Sequence, residues 1–110
     1  MKLSFTRYGV FALLNLAIIS FYGSSQYFAA LLIFVLSLAV LFAEGNKKLF
    51  FLYVVSAICG PVAEMIAVYT GHWTYAVTFI FGVPSWLFPL WGNAGLFVVA
   101  TWSYISKRKN

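Results

Sequence analysis

Residues 27–43 read YFAALLIFVLSLAVLFA and carry no charge. Polar segments bound this run on both sides, Gly23-Ser24-Ser25-Gln26 before it and Glu44-Gly45-Asn46-Lys47-Lys48 after it. Its length approaches the roughly 20 apolar residues that a helix needs to cross a membrane. Because hydrocarbon offers no hydrogen-bond partner to an open backbone, the run is predicted to be a transmembrane helix.

Three further apolar runs flank this one, at residues 8–22, 49–69 and 85–105. Hydrophobic residues make up 64% of the 110-residue chain and charged residues only 8%, which excludes an ordinary water-soluble domain and a disordered chain. The sequence therefore predicts an all-α fold, an integral membrane four-helix bundle that occupies residues 1–110 as a single transmembrane domain.

The distribution of positive charge predicts the orientation. All seven Lys and Arg residues fall in residues 2–7, in the loop at 47–48 or in residues 107–109, and four crossings place these segments on one side. Positive charge near span ends favours the cytoplasm, so we expect a multi-pass protein of a cell inner membrane with both termini cytoplasmic. The expected partners are membrane lipids rather than nucleic acid. A cleaved signal peptide over residues 1–25 is the alternative for the first span.

Residues 72–83 are apolar and aromatic, but they are too few to cross the membrane as a helix. A fifth crossing would also place the basic C-terminal residues outside. The segment is therefore predicted to be interfacial or shallowly re-entrant on the outer side, between helices 3 and 4.

Glu64 is the residue most expected to carry chemistry. It is one of only two acidic residues and lies inside the third span, where acids are costly and are functional candidates by default. Asn15 and Asn93 fall at a similar depth in the first and fourth spans, so the three side chains are predicted to converge on an outward-facing polar pocket. A purely structural polar clamp is the alternative. Further candidate binding residues lie at the outer mouth: His72, Trp73, Tyr75, Trp86 and Trp91.

Small residues form one face of the third helix, at Ser56, Gly60, Ala63, Ala67 and Gly71. The segment 92–95 gives the last helix a second thin face, and such faces permit close helix contact. The chain has a single cysteine and a single histidine, so no metal site is expected. The sequence contains no motif that implies a cofactor.

Four short motifs carry a family resemblance: Gly60-Pro61-Val62-Ala63-Glu64, Thr70-Gly71-His72-Trp73-Thr74-Tyr75, Gly82-Val83-Pro84-Ser85-Trp86 and Leu90-Trp91-Gly92. Residues 57–92 thereby resemble polytopic carotenoid-biosynthesis membrane proteins of the bacterioruberin hydratase and lycopene cyclase type. They also resemble small uncharacterised bacterial membrane proteins. The first resemblance implies that Glu64 is the catalytic acid, although no second acid accompanies it.

Three functional hypotheses follow from these observations. The first is a membrane protein without enzymatic activity whose pocket at Glu64 binds a lipid or an isoprenoid. The second is an isoprenoid- or carotenoid-modifying enzyme that uses Glu64 as a proton donor. The third is a small proton-coupled transporter that acts as a homo-oligomer, by analogy with the small multidrug resistance transporters.

Overall fold

A computed structural model describes residues 4–108 of the chain. These residues form four helices and no strand: α1 (Phe5–Tyr22), α2 (Gln26–Glu44), α3 (Lys47–Tyr69) and α4 (Leu87–Arg108). The all-α class predicted from the sequence is confirmed. The last helix begins at Leu87 rather than at residue 85, because residues 84–86 still belong to the preceding loop.

Local side-chain chemistry sets the turn between α2 and α3. Gly45 ends α2 in the left-handed region, with φ of 59°, and its N–H donates to the Leu41 carbonyl at 3.0 Å. The next residue, Asn46, is the N-cap of α3, because its side-chain oxygen accepts from the Lys48 backbone N–H at 2.8 Å. The polar turn read from the sequence is therefore a helix C-cap followed directly by an N-cap.

Gly71 terminates α3 instead of lying on its packing face. Its φ is +83°, its N–H donates to the Val68 carbonyl at 3.0 Å, and the His72 N–H donates to the Ala67 carbonyl at 2.9 Å. This pair of bonds is the Schellman arrangement, in which glycine adopts the left-handed conformation at low cost. The expectation that Gly71 extends the small-residue face of the third helix is therefore wrong.

Helix α4 lies at the centre of the bundle, where it contacts α1, α2 and α3. Its closest approach is to α3, at three glycines, of which Gly95 lies against the Ser56 side chain. A Cβ atom on Gly60 would overlap the Trp91 ring, and one on Gly92 would overlap the Tyr53 ring. The close contact between helices 3 and 4 that the small residues predicted is thus present, with an aromatic ring packed on Gly60 and on Gly92.

The bundle has two chemically different ends. At one end, the charged end, lie Arg7, Glu44 and the lysines that begin α3. At the other, the cap end, the α1–α2 turn at residues 23–25 meets residues 70–86, which we call the cap segment. Gln26 joins the two: its Nε2 donates to the Thr78 carbonyl at 2.9 Å and its Oε1 accepts from the Ser85 N–H at 2.9 Å.

The cap segment is a folded, non-helical loop. Phe81 and Gly82 have φ values of 48° and 82°, as the two central residues of a type I′ turn require, and Ile80 and Val83 bond to each other across it. The segment predicted to be interfacial or re-entrant therefore lies at the same end as the α1–α2 turn and contains no helix between residues 70 and 86.

Three of the helices in the described part of the chain, α1, α2 and α3, are long and apolar enough to cross a membrane. Their apolar side chains face outward: Leu13, Leu31 and Phe51 are each more than half exposed. The longest dimension of the fold is 44 Å, close to the thickness of a bilayer with its headgroups. Helix α4 is less apolar, because it carries Asn93, Pro89 and two glycines, and it contacts each of the other three helices.

Candidate functional site

Glu64 lies on α3 near the cap end and is half-buried. Its Oε1 accepts a hydrogen bond from the Tyr75 hydroxyl, and its Oε2 accepts one from the Trp91 indole N–H. The three side chains come from α3, the cap segment and α4. A single carboxyl group therefore joins three separate elements of the fold.

Both oxygens of Glu64 act as acceptors in this arrangement. No Lys or Arg side chain forms an ion pair with Glu64 among the residues whose side chains are described. Two neutral donors, a phenol and an indole, therefore hold the Glu64 carboxyl group in place.

Burial, together with the hydrogen bond and the charge of Glu64, raises the pKa of the Tyr75 hydroxyl above its ordinary value. The phenol keeps its proton and remains a donor to Glu64. The Tyr75 ring also packs edge-on against Trp86, with ring centroids 6.1 Å apart, and Trp86 donates its indole N–H to the Gly23 carbonyl at 2.9 Å. Glu64 is thereby linked through the cap segment to the α1–α2 turn.

Four polar side chains, one from each helix, form a second cluster in the centre of the bundle. Asn93 Nδ2 donates to Asn15 Oδ1 at 2.8 Å, and Ser37 Oγ donates to Asn93 Oδ1 at 2.7 Å. The Tyr53 hydroxyl in turn donates to Ser37 Oγ at 2.9 Å. Asn15, Ser37 and Asn93 are at most 3% exposed. Satisfied polar groups in such a position hold helices together in a membrane.

The structure brings Asn15 and Asn93 together but places Glu64 elsewhere. Trp91, which binds Glu64, and Asn93, which binds Asn15, are two residues apart on α4 and so point about 200° apart around the helix axis. Glu64 and the asparagine pair therefore lie on opposite sides of α4. The single pocket expected from all three residues is divided into two clusters.

The remaining predicted residues lie at the cap end with different exposure. The His72 ring bonds the Thr70 hydroxyl at 2.8 Å and is exposed, and Trp73 is about half exposed. Trp86 is buried, so it belongs to the base of the cap segment. Tyr75 and Trp91 contact Glu64, whereas no hydrogen bond connects His72 with it among the described residues.

Sequence reasoning missed Ser37 and Tyr53, the other two members of the central cluster. A signal for Ser37 was present, because it is the one hydroxyl inside an otherwise apolar run of α2. Tyr53 gave a weaker signal, since tyrosine is common near membrane surfaces.

An apolar groove runs along α3 at the cap end. It has a volume of about 440 Å³. Its walls are Val62, Met65, Ile66 and Tyr69 from α3 and Phe81 and Gly82 from the cap segment. Glu64 is on the same helix but does not line the groove. In the described part of the chain, no group of three His, Cys, Asp or Glu side chains is placed to hold a metal ion.

The structure thus contains a carboxyl group held by two hydrogen bonds, a hydrogen-bonded polar cluster in the centre of the bundle, and an apolar groove between α3 and the cap segment. No family model, curated protein or solved structure matches this chain.

Proposed function

We propose that this protein binds a lipid or isoprenoid chain in the groove between α3 and the cap segment. The observation that carries the proposal is an open groove of about 440 Å³ with apolar walls. Ligand sites in proteins are commonly concave and apolar, with volumes of about 300–1,000 Å³. A groove with these walls suits hydrocarbon.

Glu64 has a positioning role in this proposal. By accepting from Tyr75 it fixes one end of the cap segment, while Gln26 fixes the other end at Thr78 and Ser85. Phe81 and Gly82, which close the groove, lie between these anchors. The shape of the groove therefore depends on residues that do not touch the ligand.

The proposed setting is a cell inner membrane crossed four times, with the charged end and both termini cytoplasmic. Supporting this, the basic residues that are described, Arg7, Lys47 and Lys48, lie opposite the cap end. The cap end carries exposed aromatic side chains such as Tyr27, Trp73 and Phe79, which favour a membrane–water interface.

The test is native mass spectrometry of protein extracted in mild detergent. A bound hydrophobic molecule is expected with the unmodified chain and should be lost in Ile66→Trp, which fills the groove. Leu31→Trp is the matched control, because Leu31 is 57% exposed and Ile66 60% exposed, while Leu31 lies on α2 away from the groove. Equal retention in both variants would refute the proposal.

An enzyme that uses Glu64 as a proton donor is the second candidate. It is favoured by the position of Glu64, which forms no ion pair with a described side chain and lies near the surface. Its partner Trp91 is 36% exposed. In the observed arrangement, however, Tyr75 and Trp91 occupy the two oxygens, so transfer of a proton from Glu64 to a ligand requires the loss of one of these bonds. The Glu64→Gln variant separates the two functions. A variant that retains the ligand but no longer converts it favours the enzyme. A variant that loses the ligand favours the positioning role.

A further inference from the structure

A separate cavity opens at the charged end, between α1 and α2. Its volume is about 180 Å³. Residues lining it include Arg7, Tyr8 and Phe11 from α1 and Val40, Ala43 and Glu44 from α2. It lies at the opposite end of the bundle from the groove at α3, so it is independent of the function proposed above.

The polar groups at this cavity lack partners among the described side chains. The Tyr8 hydroxyl is the one buried side-chain oxygen or nitrogen there without a hydrogen bond, and Tyr8 is only 3% exposed. Arg7 and Glu44 form no ion pair with each other or with another described residue. Buried groups without partners are rare in native proteins, and each requires an explanation.

We propose that this cavity holds the headgroup of a phospholipid that carries both a phosphate and a primary ammonium group. Arg7 offers a guanidinium donor to phosphate oxygens. A phosphate oxygen that enters the cavity also supplies the acceptor that Tyr8 lacks. Glu44 then accepts from the ammonium group, and Phe11 and Val40 cover the apolar part of the lipid.

Charge complementarity selects this headgroup over the other common ones. A cation and an anion face one cavity, so a zwitterionic headgroup satisfies both. A glycerol headgroup carries the same phosphate but no cation, so it leaves the Glu44 carboxylate without an opposite charge. A choline headgroup carries the positive charge but has no N–H to donate to Glu44.

The test is lipid retention, measured by native mass spectrometry in micelles that contain equal amounts of ethanolamine, glycerol and choline phospholipids with identical acyl chains. The unmodified protein is expected to retain the ethanolamine lipid about tenfold over the other two, the ratio that corresponds to about 1.4 kcal/mol. Glu44→Gln should remove this preference without reducing retention of the glycerol lipid. Arg7→Gln should reduce retention of every phospholipid.

Lys48→Gln is the control, because it removes a charge at the same end from a residue that does not line the cavity. It should leave the preference unchanged. Free phosphoethanolamine, added as a competitor, distinguishes a site for the headgroup alone from a site for the whole lipid. If the soluble compound by itself displaces the bound phospholipid, the acyl chains contribute nothing to binding. Equal retention of the three lipids by the unmodified protein, or an unchanged preference in Glu44→Gln, would overturn the proposal.

Discussion

Asn93 donates its side-chain N–H to the side-chain oxygen of Asn15 at 2.8 Å, which joins α4 to α1 in the centre of the bundle. In each carboxamide, both the nitrogen and the oxygen form a hydrogen bond. Asn15 also donates to the Phe11 carbonyl, and Asn93 also accepts from Ser37. A groove of about 250 Å³ between the two helices passes over this pair. Because both carboxamides are hydrogen-bonded within the bundle, the pair joins two helices as well as lining this groove.

Removing one asparagine is therefore expected to destabilise the fold. Asn93→Ala leaves the Asn15 side-chain oxygen without its donor and removes one of the bonds of Ser37, at a cost of about 1–3 kcal/mol. The double variant with Asn15→Ala should cost less than the sum of the single changes, because neither leaves the other unpaired. Unfolding in detergent measures both. Thr101→Ala is the control, because its hydroxyl bonds only the Phe97 carbonyl of its own helix.

The Gly60→Ala variant should disturb the hydrogen bonds of Glu64, although Gly60 itself forms none of them. The added Cβ overlaps the Trp91 ring, and overpacking of this kind costs about 1–3 kcal/mol. Displacement of the ring also weakens its bond to Glu64, so the tryptophan fluorescence spectrum should change. Gly9→Ala is the matched control on α1, since nothing lies within 4 Å of its new Cβ. Identical melting temperatures for the two variants would contradict the packing at Gly60.

The bond between Tyr75 and Glu64 predicts a loss of stability at alkaline pH. The folded state raises the pKa of the Tyr75 hydroxyl above the ordinary value of 10.0. Above about pH 10 the unfolded chain gains stability by releasing this proton, whereas the folded chain does not. The free energy of unfolding should therefore fall as pH rises beyond 10. Tyr75→Phe should be less stable at neutral pH and should show a smaller alkaline decrease; parallel curves would disprove the contribution of Tyr75.

The proposed orientation can be measured by cysteine labelling. In a Cys59→Ser background, Ser24→Cys places a thiol at the cap end and Lys47→Cys places one at the charged end, both at exposed positions. A membrane-impermeant maleimide should label the first in intact cells and the second only after permeabilisation. The reverse pattern would invert the orientation, and labelling of both in intact cells would mean that the two ends do not face opposite sides.

Much of this architecture was accessible from the sequence, because charges, glycines and the turn at Gly45 and Asn46 mark the helix boundaries directly. The contact between Asn15 and Asn93 followed from their similar depth. Depth alone, however, does not specify the direction in which a side chain points. Glu64 was therefore grouped with the asparagines, although it faces the other side of α4.

The path of the cap segment could not be predicted for a different reason. It depends on Phe81 in the left-handed region, which bulky residues rarely adopt, and on contacts between Gln26 and residues far along the chain. Such contacts leave no local periodicity. The two partners of Glu64 were both among the candidate residues, but which of the aromatic side chains would reach it depended on this path.

The same Gln26 contacts have a consequence for biogenesis. Thr78 and Ser85 follow Gln26 by 52 and 59 residues, so the ribosome releases the α1–α2 hairpin well before either partner exists. During that interval the Gln26 carboxamide lacks both of these partners. The contacts that close the cap end can therefore form only after α3 and the segment that follows it have been synthesised. A chain truncated before Ser85 lacks one of the two contacts by which Gln26 holds this end of the bundle together.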